Sequence, residues 1–306
     1  MKNGLIEKAI EEFKKRRLDV YKADPDQIVR DARVAERATK DHVGRWLFEL
    51  LQNSDDSKAS EVLIIIDKDT IYVADNGHGL KPIAVRAICG TDFSDKTTGT
   101  IGRKGVGFKS VYEVSQNPQV LTVDGEGIEF SPKKTEAWLR ENSLNEGHVP
   151  YQWVPYFIPW DEAQPQDLHL DDFKVKAFKT VIRLPGLSPE NKQKVKQLLL
   201  EWPPHSLFAF RYLRQITAPG LEVVLSDGGS SWSLRDSRGQ IPVEWYVAKH
   251  TEFPPHHLLE ILGADERKAV ATEGVSFLIA APLENNCVLP TSDYLPVHVF
   301  YPTEQN

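Results

Sequence analysis

Glu49-Leu-Leu-Gln-Asn53-Ser-Asp-Asp56, then Asp75-Asn-Gly77-His-Gly79, then Gly102-Arg-Lys-Gly105-Val-Gly107-Phe-Lys-Ser110 are the stretches on which the reading of this chain turns. The first lies in a helix expected from about Thr39 to Asp55. Glu49, Asn53 and Asp56 stand at i, i+4 and i+7, so they share one face, while Leu47, Leu50 and Leu51 hold the others. A polar stripe on an otherwise apolar helix has two explanations. It faces solvent, or it faces a ligand, because leaving it buried and unpaired costs about 1–3 kcal/mol per group. In the second case the Asn53 amide oxygen suits Mg²⁺, which keeps most of its waters and takes few protein ligands beside phosphates. A carboxylate one turn away, Glu49, can orient or deprotonate an attacking water.

The second stretch follows a β-branched strand. Asn-Gly is the strongest short turn signal, so a plain strand-end turn is one reading. The other makes Asp75 an acceptor for an exocyclic amine, with Gly77 and Gly79 letting a base approach the backbone. The third stretch nearly matches a P-loop, but Phe108 stands where its lysine belongs. It also fails the dinucleotide fingerprint, since a polar loop precedes it. Glycine-rich backbone opening a helix at Gly105 still offers N–H groups to an anion, and Arg103 and Lys104 add positive charge. A glycine-rich helix start with no ligand is the alternative.

Bulk properties narrow the class. The chain has 306 residues, which at roughly 150 per domain implies about two domains. Lys plus Arg number 37 against 44 Asp plus Glu, a net charge of −7, so direct nucleic-acid binding is not expected. Two cysteines, Cys89 and Cys287, exclude a disulfide framework and fit a reducing, cytoplasmic setting. No apolar run of about eighteen residues predicts a membrane span. The histidines show no metal-site spacing with Cys.

Along the chain, helices are expected over residues 5–18 and 25–38, and strands over 61–67, 70–74, 119–123 and 177–184. Residues 90–101 read as a polar loop, Gly105–Val114 as a helix, and 131–172, dense in Pro, Trp and Asp, as an irregular insertion. Ser188 caps a further helix, and strands near 221–225, 231–235, 242–248, 274–281 and 295–301 alternate with turns and a helix at 255–270. The last apolar strand runs almost to residue 306, as expected of the N-terminal part of a longer protein.

In this order and proximity the three stretches resemble the nucleotide pocket of the GHKL superfamily: gyrase, the ninety-kilodalton heat-shock chaperone, histidine kinases and MutL. Trp46-Leu-Phe-Glu-Leu-Leu-Gln-Asn-Ser-Asp-Asp56, Ala87-Ile-Cys89 and Gly105-Val-Gly-Phe-Lys-Ser-Val111 are most similar to the sacsin and NO VEIN type of module. The resemblance is specific over about residues 40–125. It implies an α+β two-layer sandwich, a mixed β-sheet covered by helices (the Bergerat-type ATP-binding fold). It divides the chain into a helical extension (1–38), an ATP-binding domain (39–187) and a smaller α/β region (188–306).

The resemblance also implies roles. Glu49 is the general base and Asn53 the Mg²⁺ ligand. Asp75 contacts the adenine amine beside Gly77 and Gly79, with Thr180 helping it hold a water. Asp56 lies near base and ribose. Gly102, Lys104, Gly105, Val106, Gly107, Phe108 and Lys109 cradle the phosphates, and residues 90–101 form the lid. The family's γ-phosphate Lys or Arg has no match here, and the 131–172 insertion has no counterpart. The implied function is a slow, Mg²⁺-dependent ATPase switch, chaperone-like or defence-related, pairing with itself or with downstream domains. The alternatives are a non-catalytic nucleotide-sensing module and the ATPase part of a DNA-handling clamp.

Overall fold

The computed structural model describes residues 4–41, 44–89, 107–123, 125–144, 147–160, 168–228, 231–239, 243–255, 257, 260, 267, 270–271, 275–285 and 287–288. The N-terminal helices are α1 (Leu5–Ala23) and α2 (Asp26–Asp41), followed by α3 (Trp46–Asp56). Helix α3 turns Trp46, Leu47, Leu50, Leu51 and Ser54 inward, and that stripe seats it on the sheet. Strands β1 (Glu61–Asp67) and β2 (Thr70–Asp75) form an antiparallel pair joined by Lys68 and Asp69. Helix α4 (Pro82–Cys89) precedes the 90–106 segment, and a 3₁₀ segment, Gly107–Glu113, follows it. The expected helix from Gly105 is thus, where described, a tighter 3₁₀ turn rather than α-helix.

The 131–172 stretch is more regular than its composition implies. Strands β3 (Gln119–Thr122) and β4 (Gly127–Phe130) lead into α5 (Pro132–Glu141), capped by Ser131, whose side chain accepts from Lys134 N–H. Pro132 stands at the start of α5, where its missing N–H costs nothing. A 3₁₀ turn (Tyr151–Trp153), strand β5 (Pro155–Phe157) and helix α6 (Leu168–Val175) complete it. Prolines that read as breakers therefore begin elements here. Strand β6 (Thr180–Pro185) returns to the centre of the sheet, and α7 (Pro189–Leu200) starts at the Ser188 cap.

Strands β7 (Gln215–Ala218), β8 (Leu221–Asp227), β9 (Trp232–Asp236), β10 (Glu244–Glu252), β11 (Val275–Glu284) and β12 (Cys287–Val288) follow. Among the described residues twelve strands form one mixed sheet, ordered β12-β11-β10-β9-β8-β7-β1-β2-β6-β3-β4-β5. The β1–β7 pair is parallel, so the strands after residue 188 extend the sheet of the first half. The helix expected at 255–270 and the strand at 295–301 lie wholly or largely outside the described residues.

Alternation sorts the two faces. Ile71 and Val73 of β2, with Ile182 and Leu184 of β6, join the main core under α1, α3 and α4. Tyr72, Ala74 and Val181 point the other way, into a smaller cluster with Leu170 and Phe173 of α6 and with Ile158 and Trp160. The 131–172 stretch thus covers part of the sheet's back, an addition to the expected single helical layer.

Candidate functional site

Asp75 ends β2 on the face beneath α3. It pairs across the ladder with Thr180, which in turn pairs with Thr122 of β3. By the same alternation both threonines share the face of Asp75. All three side chains are buried. The Gly77 N–H donates to Asp75 Oδ1 at 2.9 Å. The hydroxyls of Ser54 and Ser57 approach the two carboxylate oxygens, each at 3.4 Å. Each hydroxyl has one proton and a nearer carbonyl, Leu50 O at 3.1 Å for Ser54 and Ser54 O at 2.8 Å for Ser57. The carboxylate therefore has one short N–H donor and spare acceptor capacity. Burial pushes its pKa up to about 6, against the pull of the Gly77, Ser57 and Ser54 bonds.

Gly77 also lets two backbones meet. A Cβ there would stand 2.0 Å from Ser57 Oγ and 2.7 Å from the Ser57 carbonyl, so the turn after β2 lies directly on the end of α3. His78 N–H donates to that carbonyl at 2.9 Å. Gly79 has φ +79, the left-handed backbone that glycine accepts freely.

At the other end of α3, Glu49 meets the third stretch. A Cβ at Gly107 would lie 2.1 Å from Glu49 Oε2, so only glycine leaves the carboxylate its place against this backbone. Glu49, Asn53 and Asp56 are all half-buried along this side of α3, between Gly107 at one end and Asp75 at the other. One helix thus joins an acidic acceptor site to a glycine backbone and a carboxylate. Among the described residues no cluster of three or more His, Cys, Asp or Glu could hold a metal ion. A divalent cation here fits a hard amide oxygen such as that of Asn53, completed by phosphate oxygens and water.

Gly102, Lys104, Gly105 and Val106, with the expected lid at 90–101, lie outside the described residues. Phe108 packs its ring against Phe130, at 6.0 Å between centroids, which leaves its backbone as what it can offer a ligand. Lys109 departs from the set. Its ammonium is fully buried, donates to the Gln152 carbonyl at 3.1 Å and sits 4.2 Å over the Trp153 ring. It turns into the core, not toward a phosphate.

Sequence reasoning missed Ser54, Ser57, Thr122 and Asp55. The core stripe Leu47, Leu51, Asp55 at i, i+4, i+8 was the available signal for the last. Asp55 is buried, and its carboxylate accepts from Arg211, Tyr212 and Leu213 N–H groups at 3.1, 2.7 and 2.8 Å.

Residues 43–144 match the sequence model of the "Histidine kinase-, DNA gyrase B-, and HSP90-like ATPase" family. Over that segment the chain is GHKL-like. The chain is also similar to Protein NO VEIN of Arabidopsis thaliana, 26% identical over 226 residues. That alignment takes in 66% of this chain, which spans 8% of the length of the relative. The GHKL match contains α3, the Asp75 turn and the Gly107 segment, the three parts of the pocket.

Proposed function

We propose that this chain binds ATP with Mg²⁺ and hydrolyses it slowly, as a nucleotide-driven conformational switch. The observation that carries the proposal is the contact of the Glu49 carboxylate with Gly107, because it sets a general base against the backbone assigned to the phosphates. Asp75 would accept the adenine amine, and Thr180 would share in holding the base. Asn53 would hold the cation, whose charge would neutralise the phosphates. Glu49 would orient a water and take its proton as the water attacks. Asp56 would face the ribose side of the pocket. Gly102, Lys104, Gly105 and Val106 complete the phosphate-binding backbone in this reading, with residues 90–101 as the lid.

Slow turnover is consistent with the lack of an assigned γ-phosphate cation. Pairing with a second copy or with further domains, a cytoplasmic setting and a chaperone-like or defence role belong to the same proposal. Among the described residues no helix is long and apolar enough to cross a membrane.

The test is turnover and binding by the full chain. Wild type is expected to bind a non-hydrolysable ATP analogue only with Mg²⁺ and to release phosphate from ATP. Glu49→Ala is expected to bind equally well and to release almost none. Hydrolysis by Glu49→Ala at the wild-type rate would remove Glu49 from its role.

A further inference from the structure

Lys109 closes the glycine-rich stretch, two residues after Gly107, yet its side chain enters the protein interior. Its partners come from another part of the chain. The Gln152 carbonyl accepts its proton, and Trp153 lies beneath it. Trp153 is itself fixed from the N-terminal side: its Nε1–H donates to the Asp31 carbonyl of α2 at 2.9 Å, and the Arg17 guanidinium of α1 lies 5.2 Å from its ring. Arg17 pairs with Asp31 at 2.9 Å, and Tyr21 and Gln27 donate to the same carboxylate. The ammonium therefore ties the turn holding Gly107 to a node built by α1, α2 and the 151–153 turn.

We propose that Lys109 is a positioning residue for nucleotide binding: tethered to Gln152 and Trp153, it holds the Gly107–Glu113 turn where Gly107 meets Glu49 and the backbone can face the phosphates. This rests on the nucleotide reading of the pocket and deepens it. The tether needs the charged form, since a neutral amine gives up the cation–π contact and weakens the hydrogen bond. The titratable and charged groups facing Lys109 are Cys89 at the end of α4, Arg17 of α1 and Asp31 of α2. Burial lowers its pKa to about 8, opposed by Cys89 and Asp31 and assisted by Arg17. Cys89 is itself held as a thiol by burial, pushed up to about 12.

A buried cation of this kind costs stability, because the folded state disfavours its protonated form while the unfolded chain does not. Lys109→Met keeps the bulk and removes the charge. A merely structural lysine would, on this change, lower stability and binding together. A positioning lysine separates them.

The experiment titrates the full chain and Lys109→Met with a non-hydrolysable ATP analogue and Mg²⁺ between about pH 7 and about pH 9.5, with a thermal melt of each. The expected result is an affinity loss of about tenfold in Lys109→Met, with a melting temperature equal to or above wild type. Wild-type binding is expected to weaken as pH rises through the range, and Lys109→Met to stay flat. Equal affinity in the two proteins overturns the proposal, as does a wild-type affinity constant across the range. The second outcome needs no variant, so it decides the matter even if Lys109→Met does not fold. A wild type that binds no nucleotide at any pH overturns the reading of the pocket itself, and this inference with it.

Discussion

Asp75 carries a titration with a defined sign. Its folded-state value of about 6 lies above the ordinary 3.8, because burial penalises the carboxylate more than Gly77, Ser54 and Ser57 favour it. A raised acid binds its proton more tightly in the folded state. Its contribution to stability is therefore fully present below about pH 3.8 and is lost as pH rises through about 6, a difference of about 3 kcal/mol. Binding runs the opposite way, since an amine donor needs the ionised acceptor. Affinity for an ATP analogue is expected to fall as pH drops below about 6, measured by calorimetric titration. Asp75→Asn, which presents an amide to the amine, is expected to abolish binding and with it this dependence. At the phosphate end, Gly107→Ala drives a methyl into the Glu49 carboxylate. Turnover is expected to drop by about 10²-fold or more while part of the nucleotide affinity survives, as a phosphate-release assay beside a binding titration would read.

At the scale of elements, α3 is the organising piece. Its inner stripe seats it on the sheet, its outer side carries Glu49, Asn53 and Asp56, and its last turn holds Asp55 against the backbone of residues 211–213. That carboxylate joins α3 to the loop leading into β7, the strand that pairs with β1. Asp55→Ala would leave three N–H groups short of an acceptor, each worth about 1–3 kcal/mol when buried. A loss of about 3–5 kcal/mol in urea unfolding is expected, with Asp55→Asn milder because one acceptor oxygen remains. The helix, its polar side and the strand pair β1–β2 were legible from periodicity, because local burial patterns follow helical and strand spacing. Which of the adjacent Asp55 and Asp56 would be inward depended on the partner loop, more than 150 residues away in sequence.

For the molecule as a whole, nucleotide binding should appear as stability. Ligand at about 100 times its dissociation constant adds about 2.7 kcal/mol if only the folded state binds it. A thermal melt with Mg²⁺ and the ATP analogue is expected to shift upward in wild type and not at all in Asp75→Asn. No upward shift in wild type at saturating ligand would count against the pocket. The sheet is continuous across the described residues, from β5 at one edge to β12 at the other. The 131–172 stretch covers part of its back through Ile158, Trp160 and Leu170, a role its Pro and Trp content concealed. Composition describes how a segment is made, whereas the strand edge at β5 and the surface under α6 exist only once the sheet is assembled.

Three short stretches were enough, on sequence alone, to point to the α+β class through the family they resemble and to mark Glu49, Asn53 and Asp75 as candidates, because helical spacing and glycine placement are local properties. The tertiary structure decided the rest. It gave Gly77 to the end of α3, Gly107 to Glu49, and Asp55 to the 211–213 backbone. It also turned Lys109 inward to Trp153, since a side chain's direction in a 3₁₀ turn is settled by the partners the fold brings beside it.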